Sequence, residues 1–157
     1  LLQQGYGERG VRAIYEEIEY QASQVATFIQ ELGEMILSKQ PRIVAMANMF
    51  VQTNACLALA RYLKEKRPEL WLVLGGANCI GSAGWALVRD FPQLDVVFSG
   101  EADSCFAKLC HELINQGIAG QLPYGALTRE MALPANLAYD AYPVAQTANM
   151  ETIPNQN

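Results

Sequence analysis

The sequence predicts an α/β domain on a doubly wound, mostly parallel sheet, preceded by an N-terminal helical region. Three observations carry this. Apolar runs at 42–47, 70–74 and 94–99 read as strands. The first two are apolar on both faces rather than alternating, as parallel strands covered by helices on both sides require. Helical patterns separate the runs, and alternating strands and helices build open sheets of the Rossmann-like or flavodoxin-like kind.

Taken in chain order, Val11 to Ser38 is a long helical pattern. Ile14, Ile18, Ala22, Val25, Ile29, Leu32 and Ile36 keep a three-to-four rhythm, and Gly33 marks a bend or break in it. Pro41 introduces the first strand, Arg42-Ile43-Val44-Ala45-Met46-Ala47. A helix follows over Asn54–Lys66, with Thr53 or Asn54 as cap and Cys56, Leu59, Tyr62 and Leu63 inward. Pro68 ends it. After the second strand, Leu70-Trp71-Leu72-Val73-Leu74, Ser82 caps a helix to Phe91 with Ala83, Ala86 and Leu87 inward, and Pro92 stops it. The third strand is Leu94-Asp95-Val96-Val97-Phe98-Ser99. Asp103 or Ser104 then opens a helix carrying Phe106, Leu109, Cys110, Leu113 and Ile114, closed at Gly117. Beyond Gln121 the periodicity decays, although Tyr124-Gly125-Ala126-Leu127 can add an edge strand. The expected organisation is a helical segment at 1–40, an α/β domain at 41–145 and a linker at 146–157.

Composition narrows the function. The 157 residues are 51% hydrophobic, enough for a core. Eleven Lys and Arg against 16 Asp and Glu give a net charge of −5. With no basic cluster, neither nucleic acid nor an anionic membrane is an expected partner. No apolar run is long enough to span a bilayer, and Leu1 to Gly10 does not have the form of a signal peptide. The opening without Met suggests a piece of a longer protein. Cys56, Cys79, Cys105 and Cys110 lack zinc or redox spacing and read as core thiols of a cytoplasmic protein. His111 falls inside a helix and reads as structural.

Ligands of doubly wound sheets bind beyond the carboxyl ends of the strands. Three loops qualify and are expected on one rim. Asn48, Met49, Phe50 and Gln52 offer amide, thioether and aromatic groups suited to a large flat ligand, or serve as rim packing and turn formers. Gly75-Gly76-Ala77-Asn78 allows positive φ and close approach to the backbone, leading to a helix start where free N–H groups favour an anion. The same Gly-Gly turn serves equally for tight packing. Gly100-Glu101-Ala102-Asp103 brings two carboxylates, of which Asp103 fits a helix cap better than acid–base work. Dinucleotide and nucleotide-triphosphate loops are absent. No nucleophile set or zinc signature is present, so the chain reads as a non-catalytic domain rather than a complete enzyme.

Four stretches, Arg42–Phe50, Ala58–Lys64, Leu74–Cys79 and Phe91–Glu101, resemble the cobalamin-binding domain of B12-dependent radical SAM enzymes, nearest the subgroup linked to peptide maturation. The resemblance covers roughly residues 40 to 117, and Ile153-Pro154-Asn155 resembles the connector into the radical SAM barrel. It implies a cradle for vitamin B12, with the nucleotide tail against the strand-end loops and the corrin over the rim. Gly75, Gly76 and Ala77 match the family's glycine turn, and Gly100 and Glu101 its third turn. Asn48 falls beside a position where the family carries a hydroxyl and this chain has Ala47. The DxHxxG loop is absent, as in many radical SAM members, so no histidine would ligate cobalt. The domain's first strand is missing, since the chain starts at a helical region. The CxxxCxxC motif is absent too. The [4Fe-4S] cluster, S-adenosylmethionine and the methyltransferase chemistry would belong to a radical SAM domain of the same polypeptide beyond Asn157. Under this resemblance, Gly76→Val would abolish cobalamin retention. A cofactor-free interaction or regulatory module is the competing expectation, and binding of a flavin a third.

Overall fold

The computed structural model describes residues 2–131 and 142–146. The linker expected at 146–157 lies outside the described residues except for Gln146, which lines a cleft at the strand ends instead of leaving the domain. The fold is mixed α/β: a four-stranded, open, mostly parallel sheet with helices on both faces. Strands β1 (Ile43–Ala47), β2 (Trp71–Gly75) and β3 (Val96–Phe98) are parallel, and β4 (Ala126–Leu127) returns antiparallel to β3. Sheet order is β1-β2-β3-β4. The helices are α1 (Leu2–Ser38), α2 (Thr53–Lys66), α3 (Ser82–Asp90) and α4 (Phe106–Asn115).

Alternation along the strands divides the core in two. On one face Leu72, Leu74, Val97 and Leu127 pack with Leu63 of α2, Val88 of α3 and Ile29 of α1. On the other, Val73, Val96 and Phe98 pack with Leu109 and Leu113 of α4. The carboxyl-terminal part of α1 thus shares the core of the sheet. Among the described residues, no helix is long and apolar enough to cross a membrane.

Several local expectations change. The helical break lies at Gly7 (φ 68°), not at Gly33. Gly33 is buried within the helix because Tyr62 of α2 lies against it: a Cβ there would come within 2.4 Å of the ring. None of the expected caps caps. The N-cap positions are Gln52, Gly81 and Cys105, and no side chain closes a cap bond at any of them. The inward face of α3 is Gly84, Trp85, Leu87 and Val88, while Ala83 is exposed.

The amino-terminal end of the sheet is fastened by polar side chains. Lys64 meets Asp95 at 2.8 Å, and Asp95 accepts the Leu72 N–H at 2.7 Å, joining α2, β2 and the start of β3. Arg129 donates to the carbonyls of Val88, Pro92 and Leu94 at 2.7–3.1 Å, holding the α3–β3 turn against the chain beyond β4.

Gly84 sets how closely α3 approaches the rim. An added Cβ would lie 2.0 Å from the Cys79 carbonyl oxygen and 3.2 Å from Leu127 Cδ1. Gly84→Ala is therefore expected to destabilise by about 1–3 kcal/mol despite its better helix propensity. Gly75→Ala, whose Cβ meets only ordinary contacts at 3.8 Å, should stay within about 0.5 kcal/mol of wild type. Urea midpoints check both.

Candidate cofactor cleft at the strand ends

The loops after β1, β2 and β3 do converge on one rim, and hydrogen bonds between them show how. Asn48, directly after β1, is fully buried. Its N–H donates to the Gly75 carbonyl at 2.6 Å, and its carbonyl accepts the Asn78 N–H at 3.1 Å. Its Oδ1 accepts from Thr53 Oγ1 at 2.9 Å and Asn78 Nδ2 at 3.2 Å, and its Nδ2 points to Cys79 Sγ at 3.7 Å. Asn78 Nδ2 also donates to the Phe50 carbonyl at 2.8 Å. Asn48 and Asn78 are thus the seam between the first two loops, rather than groups facing a ligand. Thr53, expected as a helix cap, spends its hydroxyl here.

The second and third loops are joined by Ser99. Its buried hydroxyl accepts the Gly81 N–H at 2.8 Å. That takes up a donor at the start of α3, where the sequence reading places an anion site. Ser99 also receives a distant segment: the Ala145 N–H donates to the Ser99 carbonyl at 2.9 Å, and the Glu101 N–H to the Ala145 carbonyl at 2.9 Å. Gly100 and Ala145 pair as a parallel bridge.

Gly76, Ala77, Ile80, Gly100 and Glu101 line one side of an open cleft of about 620 Å³, and Val144, Ala145 and Gln146 line another. This is the size range of a small-molecule site. On the loop after β1, Phe50 is 84% and Val51 94% exposed, and Met49 is partly exposed. Phe50 holds a left-handed φ of 48°, rare for an aromatic residue. Gln52 turns inward on its own loop, its Oε1 accepting the Met49 N–H at 3.1 Å.

The glycines divide by role. Gly76 has φ 106°, and a Cβ there would lie 2.8 Å from the Asn48 carbonyl oxygen. At Gly100, φ is 103° and a Cβ would lie 2.1 Å from the Ala145 carbonyl oxygen. The chain itself demands both glycines, through close approach of a neighbouring loop. Of Gly75, Gly76 and Gly100, Gly75 alone is free of such contact.

The expected site residues therefore sort into three groups. Gly76, Ala77, Gly100 and Glu101 border the cleft, and Met49 and Phe50 stand exposed on the rim. Asn48, Gln52 and Asn78 build the loops, while Gly75 ends β2. The wall formed by Val144–Gln146 and the bracing role of Ser99 escape the sequence reading. Ser99 carries a weak signal, a hydroxyl closing a strand that is otherwise apolar at that end. Ala145 carries none. Ala47 is exposed at the end of β1, and its carbonyl accepts from Cys56 Sγ at 3.6 Å.

Among the described residues, no three His, Cys, Asp or Glu side chains are grouped to hold a metal ion. His111 sits exposed on α4 beside Asn115. Burial pushes the Cys79 thiol up to about 11, opposed by the Asn48 amide and reinforced by nearby Cys56. It is a packed thiol under the rim and not a nucleophile at neutral pH.

The raised thiol makes stability pH-dependent. The folded state holds the Cys79 proton more tightly than the unfolded chain, whose thiol ionises near the ordinary 9.0. Its contribution is whole below that value and is lost as pH rises toward about 11. Urea denaturation between about pH 8.5 and 10.5 should show stability falling more steeply in wild type than in Cys79→Ala. Parallel slopes would contradict the assignment. Comparison with protein-family models and with curated proteins finds no match to this chain.

Proposed function

We propose that this chain is a cobalamin-binding module of a cytoplasmic B12-dependent radical SAM enzyme, presenting the cofactor to a catalytic domain. The sheet is read as the core of a doubly wound fold that uses its carboxyl rim. The observation that carries the reading is the rim itself: a cleft of about 620 Å³ lined by the loops after β2 and β3 and by Val144–Gln146, with the apolar side chains of Phe50 and Val51 exposed on the loop after β1 of the same rim. A large ligand with an apolar face and an amide-bearing edge suits such a surface, and so does the face of a second domain.

The residues present fit the group in a limited way. Gly76, Ala77 and Gly100 border the cleft with backbone and a single methyl group, although the space a side chain would take at the two glycines is filled by Asn48 and Ala145. Phe50, Val51 and Met49 can cover an apolar ring face. The Ser99–Gly81 and Asn48–Asn78 bonds hold these groups in place before any ligand arrives. When bound, cobalamin would supply a methyl group carrier, and the methyl transfer itself would need the radical SAM domain with its [4Fe-4S] cluster and S-adenosylmethionine. This chain's own part is binding and orientation.

A second reading, a cofactor-free interaction module, has one specific observation behind it. Both positive-φ glycines on the cleft are explained by contacts within the chain, without a ligand. For the same reason Gly76→Val cannot separate the two readings: its side chain would strike the Asn48 backbone under either. Phe50 and Val51 are the better probes because their side chains support nothing in the fold.

The protein is expected to retain hydroxocobalamin through gel filtration with a base-off visible spectrum. The double variant Phe50→Asp, Val51→Asp should weaken retention at least about tenfold, the equivalent of roughly 1.4 kcal/mol, with an unchanged melting temperature. No spectral change and no retained cobalamin would favour the interaction module. Flavin fluorescence from the purified protein would point to the third class of cofactor.

A further inference from the structure

We propose that the outer edge of β4 carries a second small-molecule site, which takes a compact neutral ligand bearing an amide on an apolar ring. A cavity of about 370 Å³ opens there, at the small end of the range for ligand sites. Ile118, Leu122, Tyr124 and Pro143 supply apolar walls, and Ala126 and Thr128 bring the strand edge into it. Among the described residues it shares none with the cofactor cleft, so the inference does not rest on the proposed function.

The β3–β4 register fixes which backbone groups face outward. Phe98 opposes Ala126 and Val97 opposes Leu127. The Ser99 N–H donates to the Gly125 carbonyl at 2.7 Å, so the ladder bonds fall at Gly125 and Leu127 and the Ala126 groups point away from β3. The Ala126 N–H turns back to the Pro123 carbonyl at 3.1 Å. The Ala126 carbonyl accepts nothing among the described residues, although Ala126 is only 6% exposed. Thr128 is 4% exposed. Its N–H meets only the Met131 sulfur at 3.5 Å, and its carbonyl accepts the Met131 N–H at 3.2 Å. Its hydroxyl has no partner among the described residues. Buried polar groups are ordinarily hydrogen-bonded, and the cavity is the side from which a partner can reach these two.

The same bonds select the partner. An added strand would find one free carbonyl, because the Ala126 N–H and both Thr128 backbone groups are already turned onto their own chain. An anion is disfavoured. No Lys, Arg or His lines the cavity among the described residues. Glu112 Oε2, buried without a hydrogen-bond partner, also lies against Gly120 of the wall. A cation would lose its hydration with no carboxylate lining the cavity to replace it. An amide fits both open groups: its N–H donates to the Ala126 carbonyl, and its carbonyl accepts the Thr128 hydroxyl proton. Tyr124, 69% exposed, has a ring face to offer the apolar body.

Titration of the ¹⁵N-labelled 157-residue chain with benzamide, to about 20 mM, tests this by NMR, since so small a ligand binds in the millimolar range. Saturable shifts are expected at the Tyr124, Ala126 and Thr128 amides, with Gly76 and Ala77 of the cleft unmoved. Acetophenone, which puts a methyl group in place of the amide nitrogen, should bind about 3- to 10-fold more weakly. Benzylamine, a cation at pH 7, should bind more weakly than benzamide too. Thr128→Val keeps the side-chain shape and should weaken benzamide by about 3- to 10-fold, with a melting temperature unchanged or raised because an unpartnered hydroxyl is lost. Tyr124→Ala, at an exposed position, should weaken it by about 3-fold with the fold intact. No saturable shift, shifts confined to residues outside the cavity, or acetophenone or benzylamine binding as tightly as benzamide would overturn the proposal. So would undiminished binding by Thr128→Val or a fall in its melting temperature.

Discussion

The rim of this protein depends on one buried amide. Asn48 has no solvent to bond with, and all of its polar atoms are engaged by the first and second strand-end loops. A buried amide left without partners costs on the order of 1–3 kcal/mol per group, so the two loops can separate only by incurring that cost. The geometry of Gly76 follows from this. The second loop must run so close to Asn48 that no Cβ fits, and only glycine takes the required positive φ there. Thr53, Asn78 and Cys79 are then fixed as satellites of the same amide.

The two ends of the sheet are held by different chemistry. At the amino-terminal end, a half-buried ion pair between Lys64 and Asp95 and the three-carbonyl grip of Arg129 join helices to strands. At the carboxyl end the described joints between the loops are made by amides, the hydroxyls of Thr53 and Ser99, and a thiol. Among the described residues, Glu101 is the one acidic side chain on the cleft, beside backbone amides and neutral side chains. That suits an uncharged or amide-rich surface better than a multiply charged phosphate compound.

Much of the architecture is legible in the sequence because β2 and β3, buried on both faces, leave unambiguous apolar runs; β1 is apolar too, but as an edge strand it leaves Ala45 and Ala47 exposed instead of being covered on both sides. The edge strand at Ala126–Leu127 is legible too, although its antiparallel direction is not. Helix starts are misread for a tertiary reason. Thr53 looks like a cap, but Asn48, five residues earlier, takes its hydroxyl. Gly76 looks like space for a ligand because a Gly-Gly pair after a strand has the same signature whether the approaching backbone belongs to a cofactor or to the next loop. Ala145 is invisible because a pairing with Gly100 leaves no mark in either local sequence.

That pairing bears on how the protein folds. Gly100 and Ala145 stand 45 positions apart, and the bonds on either side of their bridge fasten one wall of the cleft. The strand–helix–strand units close over 23 to 28 positions, so they can condense first. A contact across so long a span must wait for chain closure, whose entropic cost rises with the logarithm of loop length. The Val144–Gln146 wall is thus the last part of the cleft to be laid down and the first to be given up in a partial opening. The kinetics of the cleft are then set by this late closure rather than by the sheet beneath it.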